Sequence, residues 1–302
     1  MSANAREASN GMGDDARERR CVVVTGASTG IGFATARVLV DHGVHVFGSV
    51  RHERDAARLR AELGDECTPL LFDVTDPDAI DAAVPTVAER LEGRMLFGLV
   101  NNAGIAIGGP LIHQPLDEVR RVLEVNTLGT LAVIQAFAPL LGVDRTRAGR
   151  PGRIVQMSSV AGRVSAPFLG AYAASKRALE GMSHSLRREL MVFGIDVILV
   201  NPGAVATPIW DKAEAHQPNR YADTAYAPLL ERFVSMALRS GRSGLPPEAV
   251  GDAVWTALTT RRPRWSYAVV RRRLIDWTIP RALPPRLLDR LIARRLGLTR
   301  RD

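Results

Sequence analysis

Short apolar runs recur along the chain and alternate with longer segments of mixed polarity. The runs are rich in β-branched residues and span 21–26, 44–50, 69–74, 96–104, 152–159, 195–203 and 264–270. The segments between them include 30–42, 53–63, 77–92, 116–141, 171–193 and 246–260. Apolar runs of this length are typical of strands buried on both faces, and the intervening segments are long enough for helical crossovers. The pattern therefore predicts an α/β fold, a doubly wound parallel sheet with helices on both faces.

Composition divides the chain into three parts. Residues 1–20 contain no apolar run and no helical periodicity, so we predict a disordered tail without a secretory signal. Residues 21–270 carry the alternating strands and helices without a linker, which predicts a single domain. Residues 271–302 are rich in arginine, proline and leucine and are expected to form a basic, amphipathic helical arm.

The positive charge is concentrated in the last part of the chain. The formal net charge is +8, and residues 261–302 hold 13 arginines against three acidic residues. The rest of the chain therefore has a net charge of −2. This distribution argues against a nucleic-acid groove across the domain, so no nucleic-acid partner is predicted.

The arm has two interpretations. A helix is expected to start at Pro284 and Pro285. One face would carry Leu287, Leu288, Leu291, Ile292 and Leu298, and the other Arg286, Arg290 and Arg294, with Arg295 intruding on the apolar side. The leucines could pack on the domain or close the pocket entrance. Alternatively, residues 279–302 could lie on anionic lipid as a peripheral membrane contact.

The expected cellular compartment follows from the absence of a membrane-spanning segment and from the small number of cysteines in the sequence. We find no segment with the 18 apolar residues needed to span a bilayer, and two cysteines, Cys21 and Cys67, are too few for a disulfide framework. The expectation is a cytoplasmic protein with reduced thiols, with membrane contact only at the inner face. No metal site is predicted.

A glycine-rich turn follows the first predicted strand. The stretch "TGASTGIG" (25–32) places Gly26, Gly30 and Gly32 between that strand and the first helix. Glycines allow backbone to approach a pyrophosphate, and the helix N-terminus offers free N–H donors. The alternative is a tight turn that needs glycine only for steric reasons.

A tyrosine and a lysine lie one helical turn apart in "YAASK" (172–176). Lys176 is one of only two lysines in the chain, and its ammonium would share a helix face with the Tyr172 hydroxyl. A free tyrosine has a pKa of about 10, and a nearby cation favours its phenolate. The pair could therefore transfer protons. Alone, it could equally be an ordinary helix surface.

Taken together, the motifs resemble the short-chain dehydrogenase/reductase family in content, order and spacing. The matching elements are "TGASTGIG", "NNAG" (101–104), Asn126, "SSVAG" (158–162), "YAASK", "NPG" (201–203) and Thr207. The resemblance covers about residues 21 to 210. It implies a Rossmann-type fold and an oxidoreductase that transfers hydride between a nicotinamide and an alcohol or carbonyl carbon.

The same resemblance implies four catalytic residues. Tyr172 would exchange a proton with the substrate oxygen, while Lys176 would bond the nicotinamide ribose and supply the charge. Ser159 would hold the substrate oxygen, because its spacing of thirteen residues from Tyr172 selects it over Ser158. Asn126 would anchor a water that relays protons, although it could instead satisfy local backbone groups.

The resemblance also implies the cofactor contacts. They comprise Gly26, Ser28, Thr29, Gly30, Ile31, Gly32, Asp73, Val74, Asn102, Ala103, Gly104, Tyr172, Lys176, Pro202, Gly203, Val205 and Thr207. Asp73 would accept from the adenine amino group, unless it merely caps a helix. Asn101 is expected to tie strands together rather than to touch cofactor.

Cofactor choice depends on the end of the second strand. A carboxylate there would accept from the ribose 2′-hydroxyl of NAD and repel a 2′-phosphate. Val50 occupies that place and Arg51 follows, which favours NADP(H), with NAD(H) possible. Thr29 departs from this pattern, since many NADP-dependent members have a basic residue there. Arg51 could also be an ordinary exposed arginine.

The substrate and assembly follow only from family analogy. Residues 204–226 contain Ile209, Trp210, Tyr221 and Tyr226, consistent with a mobile lid over an apolar pocket or with an ordinary surface loop. The arm and "PRWSYAVV" resemble the hydroxysteroid and retinol dehydrogenase branch. That branch implies a bulky apolar alcohol or carbonyl substrate of steroid, retinoid or terpenoid type. A homodimer or homotetramer through 116–141 and 171–193 is expected.

Two other functions stay open at this point. The chain could be a catalytically silent sensor that binds NADP(H), or a membrane or protein adaptor that acts through its arm. The sensor is disfavoured because all four catalytic residues of the family pattern are present.

Overall fold

A parallel sheet of seven strands runs through the described part of the computed structural model, which comprises residues 20–208, 210 and 220–298. The strands are β1 (Cys21–Val24), β2 (His45–Val50), β3 (Cys67–Leu71), β4 (Gly98–Asn101), β5 (Arg153–Met157), β6 (Asp196–Pro202) and β7 (Ser266–Val269). Their order in the sheet is β3-β2-β1-β4-β5-β6-β7. All but residue 20 of the predicted disordered tail lies outside the described residues.

Helices connect successive strands and cover both faces of the sheet. They are α1 (Gly30–Asp41), α2 (Glu53–Leu63), α3 (Pro77–Leu91), α4 (Leu116–Leu123), α5 (Gly129–Ala138), α6 (Gly170–Glu189), α7 (Ala227–Arg242), α8 (Glu248–Thr259), α9 (Ile279–Ala282) and α10 (Pro285–Leu296). The predicted α/β class, with its doubly wound parallel sheet, is confirmed.

Several element boundaries differ from the prediction, and the differences at β3 and α7 are the most informative. Strand β3 begins at Cys67, two residues before the predicted run, and includes Pro69. A proline is tolerated there because β3 is an edge strand. Helix α7 was not predicted, although Leu230, Phe233 and Val234 recur at helical spacing within it.

Alternating side chains of each central strand enter two separate hydrophobic cores. In β1, Val22 and Val24 join the core beneath α1, α2 and α8, while Val23 joins the core beneath α3 and α5. All three side chains are fully buried. Burial on both faces explains why the strands are continuous apolar runs rather than alternating ones.

The sheet order creates a crevice between β1 and β4. Strand β1 pairs with β2 on one side and with β4 on the other, so the connections reverse direction at this point. In open parallel sheets, ligands bind at such a point, outside the carboxyl ends of the strands. The glycine-rich turn follows β1 and therefore lies at the crevice.

The expectation that no segment could span a bilayer requires correction. The continuous helical stretch Leu116–Val143 is long and apolar enough by length and composition, with a mean hydropathy of 1.4 in its most apolar window. Half of that window is buried in the domain. Val133, Ile134 and Phe137 of α5 pack in the core against the sheet, which explains their hydrophobicity without a membrane.

The arm packs on the domain through only part of the predicted apolar face, together with Leu296. Leu296 is buried and Leu298 joins an apolar cluster with α7, whereas Leu287 and Leu291 are 43% and 49% exposed. The predicted apolar face is thus divided, because one stripe contacts the domain and the other points outward among arginines. Residues 299–302 lie outside the described part.

Candidate active site

The glycine-rich turn forms a cradle without side chains. Gly26 and Gly30 have positive φ angles of 66° and 59°, which favour glycine. A methyl group on Gly26 would lie 2.9 Å from Ala103 Cα, and one on Gly32 would overlap the Gly26 carbonyl. The first turn of α1 carries no acidic residue, and Thr29 makes no side-chain cap. The close contacts show that Gly26 and Gly32 are needed for the packing of the turn itself, whereas an uncapped first turn without an acidic residue fits the pyrophosphate of a dinucleotide.

A hydrogen-bonded tie joins this turn to the end of β4. The Thr25 hydroxyl accepts from the backbone N–H groups of Asn102 (2.9 Å) and Ala103 (3.0 Å). The Asn102 side chain donates to the carbonyls of Thr25 (2.9 Å) and Gly26 (3.2 Å). The tying role predicted for Asn101 is therefore wrong, because Asn102 makes these bonds and the buried amide of Asn101 makes none.

Asp73 lies just beyond the end of β3 and faces Arg51. Its Oδ1 accepts from the N–H (3.0 Å) and hydroxyl (2.8 Å) of Thr75, and its Oδ2 lies 3.7 Å from Arg51 Nη1. Partial burial works to raise the pKa of Asp73, but the Thr75 bonds and Arg51 outweigh it and lower the pKa. Asp76 caps α3 by accepting from Ala79 N–H, so Asp73 is not that cap.

A polar cleft of about 460 Å³ opens beside the glycine-rich turn. It is lined by Ser28, Thr29, Arg51, His52, Arg54, Asp55 and Arg58. Of the arginines that line the cleft, Arg51 was predicted from the sequence, but Arg54 and Arg58 were not. Their i, i+4 spacing places both on the face of α2 that borders the cleft. Val50 is 2% exposed and packs in the core, so Arg51 is the first side chain of this segment that reaches the cleft.

Ser159, Tyr172 and Lys176 come together at the carboxyl end of β5. Ser159 caps a short helical turn, with its Oγ accepting from Ala161 N–H at 3.1 Å. Tyr172 and Lys176 lie on successive turns of α6. Lys176 Nζ donates to the Met157 carbonyl at 2.8 Å and lies 5.8 Å from the centre of the Tyr172 ring.

Burial shifts the pKa values of Tyr172 and Lys176 in opposite directions. It raises the pKa of the half-buried Tyr172, and a hydrogen bond with Ser159 acts against this rise. It lowers the pKa of Lys176 to about 8. The lysine is only 5% exposed but still carries its charge at neutral pH. The cluster can therefore hold a proton on Tyr172 beside a cation.

The structure separates the two serines that end β5. Ser158 Oγ donates to Glu180 Oε1 at 2.9 Å and is engaged in the protein interior. Ser159 is the hydroxyl that contacts Tyr172. The geometry thus fits the spacing argument, while the catalytic role of Ser159 stays a prediction.

Asn126 lies in a π-helical turn, Glu124–Leu128, between α4 and α5. Its side chain is completely buried and exchanges two bonds with the Ile105 backbone, at 2.8 Å and 2.9 Å. Its Nδ2 also donates to Ser175 Oγ at 2.9 Å. These bonds join the π-helical turn to the segment after β4 and to α6, so the groups that Asn126 satisfies are distant in sequence rather than local, and the proton-relay role stays a prediction.

Gly104 packs beside the polar cluster. A methyl group on Gly104 would lie 3.1 Å from Asn126 Oδ1 and 3.5 Å from Lys176 Nζ. The segment after β4 therefore passes directly against Asn126 and Lys176, while the cofactor contact expected of "NNAG" stays a prediction.

The segment after β6 reaches the glycine-rich turn from the other side. Pro202 ends β6, and the N–H of Gly203 donates to the Val269 carbonyl at 2.9 Å. A methyl group on Gly30 would lie 3.3 Å from Thr207 Cβ. Thr207 is therefore beside the cradle, where a cofactor contact is possible.

Three other predicted cofactor residues contribute mainly to packing. Val74 and Val205 are buried in the hydrophobic cores, and Ile31 is partly buried against one of them. The Val205 carbonyl accepts from the Trp210 indole at 2.7 Å. Any contact of Val74 or Val205 with a cofactor would involve the backbone.

The predicted lid is described only in part, because residue 209 and residues 211–219 lie outside the described chain. Tyr221 packs with Phe168 and Leu230 in an apolar cluster, and Tyr226 lies against it with its ring centre 6.0 Å from that of Phe168. This cluster adjoins the start of α6 and thus the active-site helix.

A dinucleotide cradle at the switch point of a parallel sheet, with a Ser–Tyr–Lys cluster beside it, is an arrangement suited to hydride-transfer enzymes. A sequence model described as short chain dehydrogenase matches residues 20–218. The chain belongs to this family, and the predicted family and enzyme class, an oxidoreductase acting on alcohol and carbonyl groups, are confirmed.

Several characterised or solved proteins are similar over most of the chain. The "NADPH-dependent 3-dehydrocapnine reductase" of Ornithobacterium rhinotracheale is 37% identical, over 90% of this chain and 95% of the relative. "Retinol dehydrogenase 16" of Mus musculus is 33% identical, over 90% and 87%. A short chain dehydrogenase/reductase from Burkholderia phymatum, solved in complex with NAD, matches with a TM-score of 0.70 and 27% identity, over 82% of this chain and 89% of that one.

The burial of Lys176 predicts a pH dependence of stability in the cofactor-free protein. The pKa falls from its ordinary 10.5 to about 8 on folding. Between these values the unfolded chain binds more protons, so stability rises with pH, while below about 8 both states are charged and the burial cost is fully present. Relative to Lys176→Met, the wild type should gain roughly 2–3 kcal/mol from pH 8 to 10.5.

Urea unfolding of both proteins across this pH range measures the effect. Cys67, whose pKa burial raises to about 11, is present in both proteins, so its contribution cancels. A difference between the two proteins that stays constant with pH would contradict the prediction.

Proposed function

We propose that this protein is an NADP(H)-dependent oxidoreductase that interconverts a bulky apolar alcohol and its ketone or aldehyde. The observation that carries the proposal is the convergence of Ser159, Tyr172 and Lys176 beside the glycine cradle. Members of the family act on alcohol and carbonyl groups, and the cluster supplies one group for each proton-handling task such a reaction needs.

The roles of the side chains follow from their contacts. A nicotinamide bound in the cradle would supply or accept the hydride. Ser159 orients the substrate oxygen towards the Tyr172 hydroxyl, whose pKa the Ser159 hydroxyl lowers against the effect of burial. Tyr172 gives its proton to the forming alcohol or takes it from the substrate. Lys176 stabilises the resulting phenolate through its charge, which the low-dielectric surroundings strengthen.

The basic cleft supports NADP(H). Arg51 and Arg54 line it, and the buried Val50 stands where a carboxylate would reject a 2′-phosphate. The guanidinium of Arg51 is 56% exposed and paired only loosely with Asp73, so it can turn to a phosphate. The similar 3-dehydrocapnine reductase is NADPH-dependent by name, whereas the Burkholderia phymatum neighbour was solved with NAD.

The apolar cluster of Phe168, Tyr221, Leu230 and Tyr226 supports an apolar substrate. It lies next to the first turn of α6, which carries Tyr172. Of the two similar enzymes reported above, one is by name a 3-dehydrocapnine reductase and the other a retinol dehydrogenase, and the proposed substrate class is in line with the latter.

Assembly and location are parts of the same proposal. We infer a cytoplasmic homodimer or homotetramer that pairs through residues 116–141 and 171–193, in which Leu116 and Met191 are 68% and 66% exposed. The outward stripe of the arm, Leu287 and Leu291 among arginines, suits peripheral contact with anionic lipid.

Tyr172→Phe tests the chemistry. The substitution preserves the ring but removes the proton-transferring hydroxyl, so turnover should fall at least about a hundredfold. The measurement is NADPH consumption by purified protein with steroid, retinoid, terpenoid and short-chain carbonyls. NADPH binding should change little, which serves as the control for folding. Near-normal turnover of the variant would show that Tyr172 has been assigned the wrong role.

Arg51→Ala tests the cofactor. It should weaken NADPH binding by roughly 1.5–3 kcal/mol and leave NADH binding almost unchanged, because only the former carries the 2′-phosphate. Arg60→Ala is the matched control, since Arg60 lies on the same helix but does not line the cleft. Titration of each protein with both cofactors measures the difference. Equal affinity of the wild type for NADPH and NADH would remove the basis of this prediction.

Vesicle co-sedimentation tests the membrane contact. The intact protein should bind vesicles containing phosphatidylserine at low salt and be released at high salt. Leu287→Ser with Leu291→Ser should weaken binding without unfolding, because both side chains are exposed. Neutral phosphatidylcholine vesicles are the control. If the intact protein binds neither vesicle type, the arm serves only to pack on the domain.

A further inference from the structure

A buried carboxylate, Glu180, lies one turn beyond Lys176 on α6. It is 2% exposed. Its Oε1 accepts from the Ser158 hydroxyl at 2.9 Å and from the Asn201 amide at 2.6 Å, and its Oε2 pairs with Arg163. The proton-transfer chemistry described above makes no use of this residue.

The groups that Glu180 holds belong to segments that build the active site. Ser158 immediately precedes Ser159, and Arg163 follows the short turn that Ser159 caps. Asn201 begins the "NPG" motif, and its amide also donates to the Ser159 carbonyl at 3.3 Å. Through one carboxylate, α6 is therefore connected to both flanks of Ser159.

The network extends across the sheet. Asn201 Oδ1 accepts from Ser266 Oγ of β7 at 2.9 Å, which fixes the orientation of its amide. The Arg163 guanidinium lies 5.5 Å from the centre of the Trp265 ring. The carboxyl ends of β5 and β6 are thus connected to the start of β7.

Close packing leaves this arrangement little freedom. A methyl group on Gly162 would lie 3.0 Å from Ser158 Oγ, 3.1 Å from Glu180 Oε1 and 3.3 Å from Lys176 Cβ. The turn that carries Ser159 therefore packs directly on α6 at the level of Lys176 and Glu180. Removing the carboxylate would leave the buried donors of Ser158 and Asn201 without their acceptor, which favours a shift of the turn.

We propose that Glu180 is a positioning residue that holds the Ser159 turn in register with Tyr172 through its bonds to Ser158 and Asn201. The inference rests on the proposed function, because it matters only if Ser159 orients a substrate oxygen. A displacement of about 1 Å in such a group can reduce turnover a hundredfold.

Two variants of Glu180 that carry the same charge can distinguish a positioning role of this residue from an electrostatic one. Glu180→Gln and Glu180→Ala both remove the negative charge and the Arg163 ion pair, but only glutamine keeps an acceptor for Ser158 and Asn201. We expect kcat to fall at least about tenfold in Glu180→Ala and to stay within about threefold of wild type in Glu180→Gln. The KM for NADPH should change little in either variant. Equal loss of kcat in both would overturn the proposal.

A second measurement needs no turnover. The ionisation of Tyr172 can be followed by phenolate absorbance, with the other three tyrosines subtracted by means of Tyr172→Phe in each background. The Ser159 hydrogen bond lowers the pKa of Tyr172, so this pKa should be higher in Glu180→Ala than in Glu180→Gln. Identical values would refute the positioning role. A wild type inactive on every carbonyl would instead reject the proposed function.

Two further variants guard against misfolding and unspecific effects. If Glu180→Ala does not fold, Ser158→Ala removes one of the two links without a change of charge, and the pKa of Tyr172 should again rise. Arg153→Gln is the control. It breaks an ion pair with Asp196 (3.3 Å) at the other end of β5, so it should lower stability but leave kcat and the Tyr172 pKa unchanged. A rise of that pKa in Arg153→Gln equal to the rise in Ser158→Ala would also overturn the proposal.

Discussion

The burial of the Lys176 ammonium is the constraint on which the rest of the site depends. A cation removed from water loses solvation, and here burial lowers its pKa to about 8. The Met157 carbonyl accepts from it at 2.8 Å, and the buried side chain of Asn126 lies across Gly104 from it. The ends of β4 and β5 and the start of α6 must therefore meet at one place for the charge to be tolerated.

Two kinds of contact hold these segments in place. Backbone and amide groups join the turn after β1 to the end of β4 through Thr25 and Asn102. On the other side, the Glu180 carboxylate joins α6 to the ends of β5 and β6. Tyr172 lies between the two ties. The fold thus places a closely packed glycine-rich turn near a hydrogen-bonded polar cluster.

Much of this could be read from the sequence. Continuous apolar runs identified the strands because a parallel sheet is buried on both faces, and the spacing of Tyr172 and Lys176 placed both on one face of a helix. The glycines of the first turn could be recognised from their spacing in the sequence. The structure needs glycine there because other backbone atoms lie too close for a side chain. These signals are local, with each contained in a few consecutive residues.

The tertiary structure decided the questions that involve distant segments. The sequence could not tell which asparagine of "NNAG" ties the sheet, since that depends on Thr25 and Asn102, which are 77 positions apart, coming together in the fold. Nor could it reveal that Glu180 meets Asn201, or which leucines of the arm face the domain. By itself the sequence determined the fold class, the family and the candidate catalytic residues. Only the fold decided which polar groups meet, because a hydrogen bond requires a specific distance that no linear pattern encodes.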